Sequence, residues 1–223
     1  MDSNTTFNLL LTTYYAQYFL LGITALWSIR IFLKNERLSI GLRTILSLMI
    51  VYLVVQVIGH ILQANQISNL FLLNILTPIE VWLTGPILTT AIFGKKNFRP
   101  ILILGFLFTL FVLANSPWLI ENNGSPTLNS TVLVSGHLLI SILALWALIR
   151  ITLQAKGNML SFPETWFAVG ILIYFLPTTG VMFAFDLSQP QEQIAIWIIN
   201  NLASCLRSIC FLAGLYWVEK SWR

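Results

Sequence analysis

Long apolar stretches separated by short polar segments make up most of this chain. Each of seven stretches has a length at or near that needed to cross a hydrocarbon layer of roughly 30 Å as an α-helix. The predicted spans are Tyr14 to Leu33, Thr44 to Gln63, Asn69 to Phe93, Pro100 to Ala114, Thr131 to Leu153, Thr165 to Phe185 and Ile194 to Val218. The pattern therefore predicts an all-α polytopic membrane protein, with residues 1–223 forming one domain of seven transmembrane helices. The span from Pro100 to Ala114 is the shortest.

Composition places the chain in the same class. Hydrophobic residues make up 57% and charged residues 9%, whereas a soluble domain carries about 25% charged residues. The net charge of +4 comes from basic residues that flank the spans and form no stripe, so the expected partner is the lipid bilayer and not nucleic acid. Cys205 and Cys210 lie on one predicted helix at a separation that no disulfide bridges, and no cofactor or metal site is predicted.

The charged residues predict an orientation. With the amino terminus outside, the outer segments hold Asp2, Glu121, Asp186 and Glu192 and no basic residue. The inner segments then hold every basic residue except Arg207: Arg30, Lys34, Arg37, Arg43, Lys95, Lys96, Arg99, Arg150, Lys156, Lys220 and Arg223. Since basic residues concentrate on the cytoplasmic side of membrane proteins, this distribution predicts seven spans with the carboxyl terminus inside.

A weak internal repeat is visible in the apolar pattern. The segment 23–27 (ITALW) is similar to 142–146 (ILALW), and Arg30 and Arg150 follow the two segments. Tyr52 and Tyr174 lie at similar depths in the next spans. The spans within 14–93 and within 131–218 are therefore interpreted as parallel repeats joined by the helix 100–114, a three-plus-one-plus-three arrangement. Chance similarity between apolar helices is the alternative.

Two opposite charges lie deep in the predicted spans. Arg207 is near the middle of the last span, where an unpaired arginine costs at least ~2.5 kcal/mol on insertion scales. Glu80, in the third span, is the acidic residue at comparable depth. We therefore expect Glu80 and Arg207 to meet as the polar centre of the bundle.

Further polar residues follow helical spacing and are expected to line this centre. They are Gln56 and His60 in the second span, Asn74 in the third, Tyr174 in the sixth, and Asn200 and Asn201 in the seventh. Pro78 and Pro86 each remove a backbone hydrogen bond of the third span. A broken helix beside a carboxylate is typical of membrane binding sites, but a structural kink with a locked ion pair is an equally good interpretation. Interhelical hydrogen bonding alone would also explain the asparagines.

Several established chemistries are not supported. Every lysine lies at a membrane edge, which excludes a retinal Schiff base in the last helix. His60 and His137 lie towards the outer ends of their spans without the HxxxH or HExxH spacing of a zinc site, and no GxSxG motif is present. The chain is therefore not predicted to be an enzyme, and the two histidines are interpreted as hydrogen-bonding residues.

Three segments carry a resemblance. The segments 163–175 (PETWFAVGILIYF) and 196–201 (IWIINN), with 77–80 (TPIE), resemble a group of small bacterial seven-span proteins. Those proteins look like the membrane sensor portions of histidine kinases without the kinase. The resemblance implies an integral protein of the bacterial inner (cytoplasmic) membrane. A second resemblance, to three-plus-one-plus-three sugar or vitamin transporters, rests on the repeat alone, and the proline-glutamine pair expected there is missing.

The sequence leaves two main functional hypotheses. The first is a receptor-like or accessory sensor subunit that binds a small-molecule or lipidic ligand in the outer half of the bundle. Because the sequence to Arg223 contains no output domain, we expect such a subunit to signal through a membrane or cytoplasmic partner. The second is a small-solute transporter with Pro78, Pro86 and Pro177 as hinges. An intramembrane enzyme and a purely structural subunit are weaker alternatives.

Overall fold

Seven α-helices account for nearly all of the chain that the computed structural model describes, which is residues 3–34, 38–67, 71–93, 99–115, 130–155, 157–185 and 190–221. The helices are α1 (Ser3–Lys34), α2 (Ile40–Ala64), α3 (Phe71–Phe93), α4 (Arg99–Ala114), α5 (Ser130–Gln154), α6 (Pro163–Phe185) and α7 (Pro190–Lys220). A short 3₁₀ turn, Met159–Ser161, precedes α6. The prediction of an all-α protein is confirmed.

Six of these helices are long and apolar enough to cross a membrane, namely α1, α2, α3, α5, α6 and α7. Helix α4 has 16 residues and at ~1.5 Å per residue extends about 24 Å, less than a hydrocarbon layer of roughly 30 Å. The chain is therefore an integral membrane protein with six candidate spanning helices and one shorter apolar helix. Helix α1 begins well before the predicted Tyr14, because Thr12 and Thr13 donate hydroxyl hydrogen bonds to carbonyls of the preceding turn, at 2.8 and 3.0 Å.

The six long helices form a closed ring in the order α1, α2, α3, α5, α6, α7, with α7 packed against α1. Helix α3 also contacts α6 across the ring, and α4 packs on α3 outside it. Small residues allow this outer contact, since Gly105 lies against the Trp82 ring and Gly85 against Ile101. The Trp82 indole N–H donates to Thr109 Oγ1 at 3.0 Å and fixes α4 to α3.

Side-chain contacts define the helix directions. Helices α1 and α7 are parallel, because Thr13 contacts Asn201 near their starts and Arg30 contacts Glu219 near their ends. Helices α2 and α3 are antiparallel, because Tyr52 contacts Glu80 and Gly41 lies against Ile87. We call the end of the bundle where α1, α3, α5 and α7 begin the amino end, and the opposite end the carboxyl end.

Basic residues collect at one end of the bundle. Arg30 and Lys34 lie near the end of α1, and Arg150 and Lys220 lie near the ends of α5 and α7. Arg43 and Arg99 lie at the starts of α2 and α4, so all six are at the carboxyl end. Arg37, Lys95, Lys96, Lys156 and Arg223, which the sequence analysis grouped with them, lie outside the described residues.

The carboxyl half of the ring is closely packed around aromatic rings. Phe167, Phe175 and Phe211 are among the largest fully buried side chains. Phe167 and Phe211 meet edge to face at a centroid distance of 5.4 Å. Gly214 and Gly170 lie directly against these two rings, so α6 and α7 approach closely. Small residues commonly allow such close approach between membrane helices.

Substituting one of these glycines tests the packing. A Cβ added at Gly170 would lie 2.7 Å from the Phe211 ring, whereas one added at Gly180, on the same helix, would meet nothing within 4 Å. We expect Gly170→Ala to lower the free energy of unfolding in detergent by about 1–3 kcal/mol through overpacking. Gly180→Ala is the matched control and should be neutral or slightly stabilising. Equal stability of the two variants would contradict the described α6–α7 contact.

Candidate functional site

Glu80 lies on the inner face of α3 and is only 2% exposed. Tyr52, from α2, donates its hydroxyl to Glu80 Oε1 at 2.7 Å. His137, from α5, places Nε2 3.4 Å from Glu80 Oε2. Both carboxylate oxygens therefore have a partner from a neighbouring helix, and burial of the carboxylate is offset by hydrogen bonding.

The prolines of α3 are accommodated within a continuous helix. Threonine hydroxyls on this helix donate to carbonyls one turn back: Thr84 donates to the Glu80 carbonyl at 2.6 Å and Thr90 to the Pro86 carbonyl at 2.6 Å. The interruption predicted at Pro78 and Pro86 is therefore no break of the helix, and Glu80 is held on a regular element.

Arg207 lies between two aromatic rings. Its guanidinium carbon is 4.1 Å from the centroid of Tyr52 and 3.9 Å from that of Tyr174. Its Nη2 donates to Ser204 Oγ at 3.0 Å. The side chain is 3% exposed, and Nε and Nη1 have no hydrogen-bond partner within the described part of the chain. Stacking on an aromatic ring stabilises a desolvated guanidinium by roughly 2 kcal/mol or more.

The predicted direct ion pair between Glu80 and Arg207 is wrong. Among the described residues, a nitrogen of His137 lies within 4 Å of the Glu80 carboxylate, and no Glu80–Arg207 ion pair is formed. The reason is Tyr52, whose hydroxyl binds the carboxylate while its ring faces the guanidinium. The two charges lie in the same buried region, as expected, but a tyrosine links them.

His137 is the residue that sequence reasoning missed. It is 3% exposed, and its ring meets Phe175 edge to face at 4.9 Å. Its Nδ1 has no hydrogen-bond partner among the described residues. The position near the outer end of a span suggested an ordinary hydrogen-bonding histidine. Its contact with Glu80 depends on α3 and α5 being neighbours, and no spacing in the sequence indicates that.

A cavity of about 30 Å³ lies beside Glu80 and His137, on the side of the amino end. Its polar lining comes from Thr77, Glu80, His137, Tyr174 and Asn200, and its apolar lining from Leu73, Leu76, Leu133, Met182 and Trp197. A polar cavity above about 10–15 Å³ can hold a water molecule. The site can therefore hold one or two waters or a comparably small species without moving a helix.

The structure separates the other predicted site residues into two groups. Asn200 lines the cavity and accepts a hydrogen bond from Thr178 at 3.2 Å. Asn74 is fully buried on the same helix as Glu80. Asn201 is directed to α1, where its Nδ2 donates to Thr13 Oγ1 at 3.4 Å.

Gln56 and His60 lie between α1 and α2, away from Glu80. Gln56 lies beside the Tyr18 hydroxyl, and the exposed His60 contacts the Tyr14 hydroxyl through Nδ1 at 3.3 Å. These contacts form a polar cluster between α1 and α2, apart from the cavity beside Glu80. A pocket shared by Gln56, His60, Asn74 and Asn200 is therefore not formed.

The remaining chemistry of the site is limited. Within the described ranges, no group of three or more His, Cys, Asp or Glu side chains is placed to bind a metal ion. Cys205 and Cys210 are buried free thiols. No family model, curated protein or solved structure matches the chain. The function is therefore argued from the geometry of the Glu80, His137, Tyr52, Arg207 and Tyr174 side chains, which we call the central network.

A double-mutant cycle tests whether Tyr52 couples the two charges. We expect Glu80→Gln and Arg207→Met each to destabilise the protein by about 3–5 kcal/mol, since each leaves a buried charge without compensation. The double variant should lose at least about 1 kcal/mol less than the sum, which is the interaction energy expected of a connected network. The measurement is reversible unfolding in detergent.

The same cycle in a Tyr52→Leu background identifies the link. Leucine removes both the hydroxyl that binds Glu80 and the ring that stacks on Arg207, so the interaction energy should decrease. Tyr216→Leu, at an exposed position of α7, is the control and should leave it unchanged. Additive losses in the original background would show that the two charges are energetically independent.

Proposed function

We propose that the protein is a receptor-like or accessory sensor subunit of a membrane. A small ligand would act on the central network from the cavity at the amino end. The resulting rearrangement of α3, α5 and α7 would reach a partner protein at the carboxyl end. The single observation that carries this proposal is that Nε and Nη1 of the buried Arg207 have no hydrogen-bond partner among the described residues, while Glu80 accepts a hydrogen bond from Tyr52 and contacts His137.

This arrangement supports a two-state element. In the described state Glu80 is bonded to Tyr52 and His137. A second state, with Glu80 paired directly to Arg207, would satisfy the unpartnered nitrogens at the cost of the Tyr52 and His137 contacts. Two states that exchange similar interactions differ by only a few kcal/mol, so a ligand that favours one of them shifts the population.

The carboxyl end supports the proposed contact with a partner. Glu219, near the end of α7, accepts hydrogen bonds from the Trp27 indole and from Arg30, each at 3.1 Å. Lys220 lies 4.6 Å from the Trp217 ring. The described basic residues other than Arg207 collect at this end, and the positive-inside rule supports it as the cytoplasmic end. The resemblance to bacterial sensor proteins supports the inner membrane as the location.

Site-specific photo-crosslinking in the host's own membranes tests the proposal. The probe is placed at Leu33 or Leu153, which are 77% and 75% exposed near the carboxyl ends of α1 and α5. We expect a discrete adduct with a second protein, and a change of about fivefold or more in its yield in Glu80→Gln, as typical couplings of ~1 kcal/mol or more imply. Phe19, exposed at the middle of α1 and away from the carboxyl end, is the control position and should give no adduct. An adduct whose yield ignores Glu80→Gln would contradict the sensor role.

The arrangement and the spacing of the helices favour the alternative, a small-solute transporter. Helices α1–α3 and α5–α7 each occupy one half of the ring, as a three-plus-one-plus-three arrangement requires. The buried polar residues of α3 and α7 also share one spacing: Asn74, Thr77 and Glu80 correspond to Asn201, Ser204 and Arg207. This common spacing supports the two halves as repeats with the binding site between them.

Proteoliposomes test the alternative with radiolabelled glucose and thiamine as probes, chosen from the sugar and vitamin classes of the transporter resemblance. A transporter of these classes should take up at least one probe above protein-free liposomes, and Glu80→Gln should abolish uptake. Glu219→Gln, at the carboxyl-end rim, is the matched control and should retain uptake. Background uptake of both probes would count against transport of these solutes.

A further inference from the structure

A buried carboxylate and a buried imidazole share one cavity in this protein. Glu80 and His137 both line the cavity, and their nearest polar atoms are 3.4 Å apart. The other side chains facing the pair that can carry a charge are Tyr52 from α2, Tyr174 from α6 and Arg207 from α7. Because Tyr52 donates its hydroxyl to the carboxylate, the carboxylate accepts, and an additional proton would be shared with the imidazole.

The size and position of the cavity favour a very small ligand. A space of about 30 Å³ accommodates one or two waters but not an organic solute. His137 Nδ1 has no hydrogen-bond partner among the described residues, so this atom can exchange a proton with a water in the cavity. Leu73, near the start of α3, also lines the cavity, which therefore lies on the amino-end side of the pair.

Towards the carboxyl end, the described side chains next to the pair are mostly apolar. Towards the carboxyl end, Ile87 and Leu88 of α3, Phe167 of α6 and Phe211 of α7 are buried apolar side chains. Thr84 and Thr89 donate their hydroxyls to carbonyls of their own helix. Proton access is therefore favoured from one end only.

We infer that Glu80 and His137 form a proton-binding site that is loaded through the cavity from the amino-end side of the membrane. With His137 neutral, the carboxylate balances Arg207 across Tyr52. One added proton makes the Glu80–His137 pair neutral and leaves Arg207 as an uncompensated buried cation, which is costly. Because Arg207 then lacks its balancing charge, we expect proton binding to change the packing of α2, α6 and α7 around the guanidinium.

This inference rests on the proposed function only for its consequence, which is that the ligand sensed is the proton of the compartment at the amino end. Proton binding itself is independent of any partner. Proton binding without a partner adduct would contradict the sensor role but support the proton-binding site. A bundle that forms the adduct but does not bind the proton would do the reverse.

Nuclear magnetic resonance of the full chain in lipid nanodiscs tests proton binding. The chain has two histidines, so ¹⁵N-histidine labelling gives two sets of ring signals, and His60→Gln assigns them. We expect the His137 signals to change with pH over the range in which the protein stays folded, and Glu80→Gln to move that change. The exposed His60 is the internal control, because Glu80→Gln should leave its titration unchanged.

Two results would overturn the site. His137 signals that stay constant over this pH range in the unsubstituted protein exclude proton uptake by the pair, whether or not any variant folds. An unchanged His137 titration in folded Glu80→Gln excludes sharing with the carboxylate.

Labelling with a hydrophobic carbodiimide, which reacts with protonated carboxyl groups, tests the side of access. In sealed liposomes with a different pH on each side, mass spectrometry reports the adduct on Glu80. Its yield should rise several-fold when the amino-end side is acidified and stay constant when the carboxyl-end side is acidified. The opposite dependence would overturn access through the cavity. A thiol introduced at the exposed Leu153 reports the orientation of the protein.

Discussion

The bundle depends on how it holds an arginine away from water. An isolated guanidinium inside a membrane helix is costly, and Arg207 is compensated by two aromatic faces, one serine and a carboxylate on the far side of Tyr52. This compensation needs α2, α3, α6 and α7 together, because each contributes one component. The closed ring of helices and the buried Arg207 therefore depend on each other. Without the ring, the guanidinium lacks the groups that compensate its charge. Without the guanidinium, the inward-facing polar residues have no common centre.

The interior of the bundle differs between its amino end and its carboxyl end. At the amino end, polar side chains and a cavity surround Glu80 and His137. At the carboxyl end, aromatic rings pack directly against Gly170 and Gly214 and bring α6 and α7 close together. Helix α4 lies outside the ring, where Trp82 and Thr109 fix it to α3 and Phe108 packs against Gly136 of α5. A change at the central network would thus be generated in a loosely filled polar region and passed to a tightly packed one.

Sequence patterns predicted the helices well and the site only in part. Apolar length and flanking charge locate each helix, because both are local properties of the chain. Burial of Glu80 and Arg207 also followed, since a charge in an apolar span has to face the interior. Their separation by Tyr52, the contact of Glu80 with His137, and the position of Gln56 and His60 between α1 and α2 did not follow. These depend on which helices are neighbours and how each is rotated, and apolar helices in lipid carry little sequence information about either.

The packing between α1–α3 and α5–α7 bears on the choice between sensing and transport. A transporter of three-plus-one-plus-three architecture has to open its central site to each side in turn, which here means separating α3 from α5, where Thr77 lies against Gly136, and α7 from α1, where Glu219 contacts Arg30. Close-packed interiors resist such separation but pass on small displacements, because their contacts leave no room to absorb them. Exchanging the partners of one guanidinium requires only a small displacement. Because this displacement is much smaller than the separation of helices that alternating access needs, the packing favours the proposed signalling subunit over a transporter.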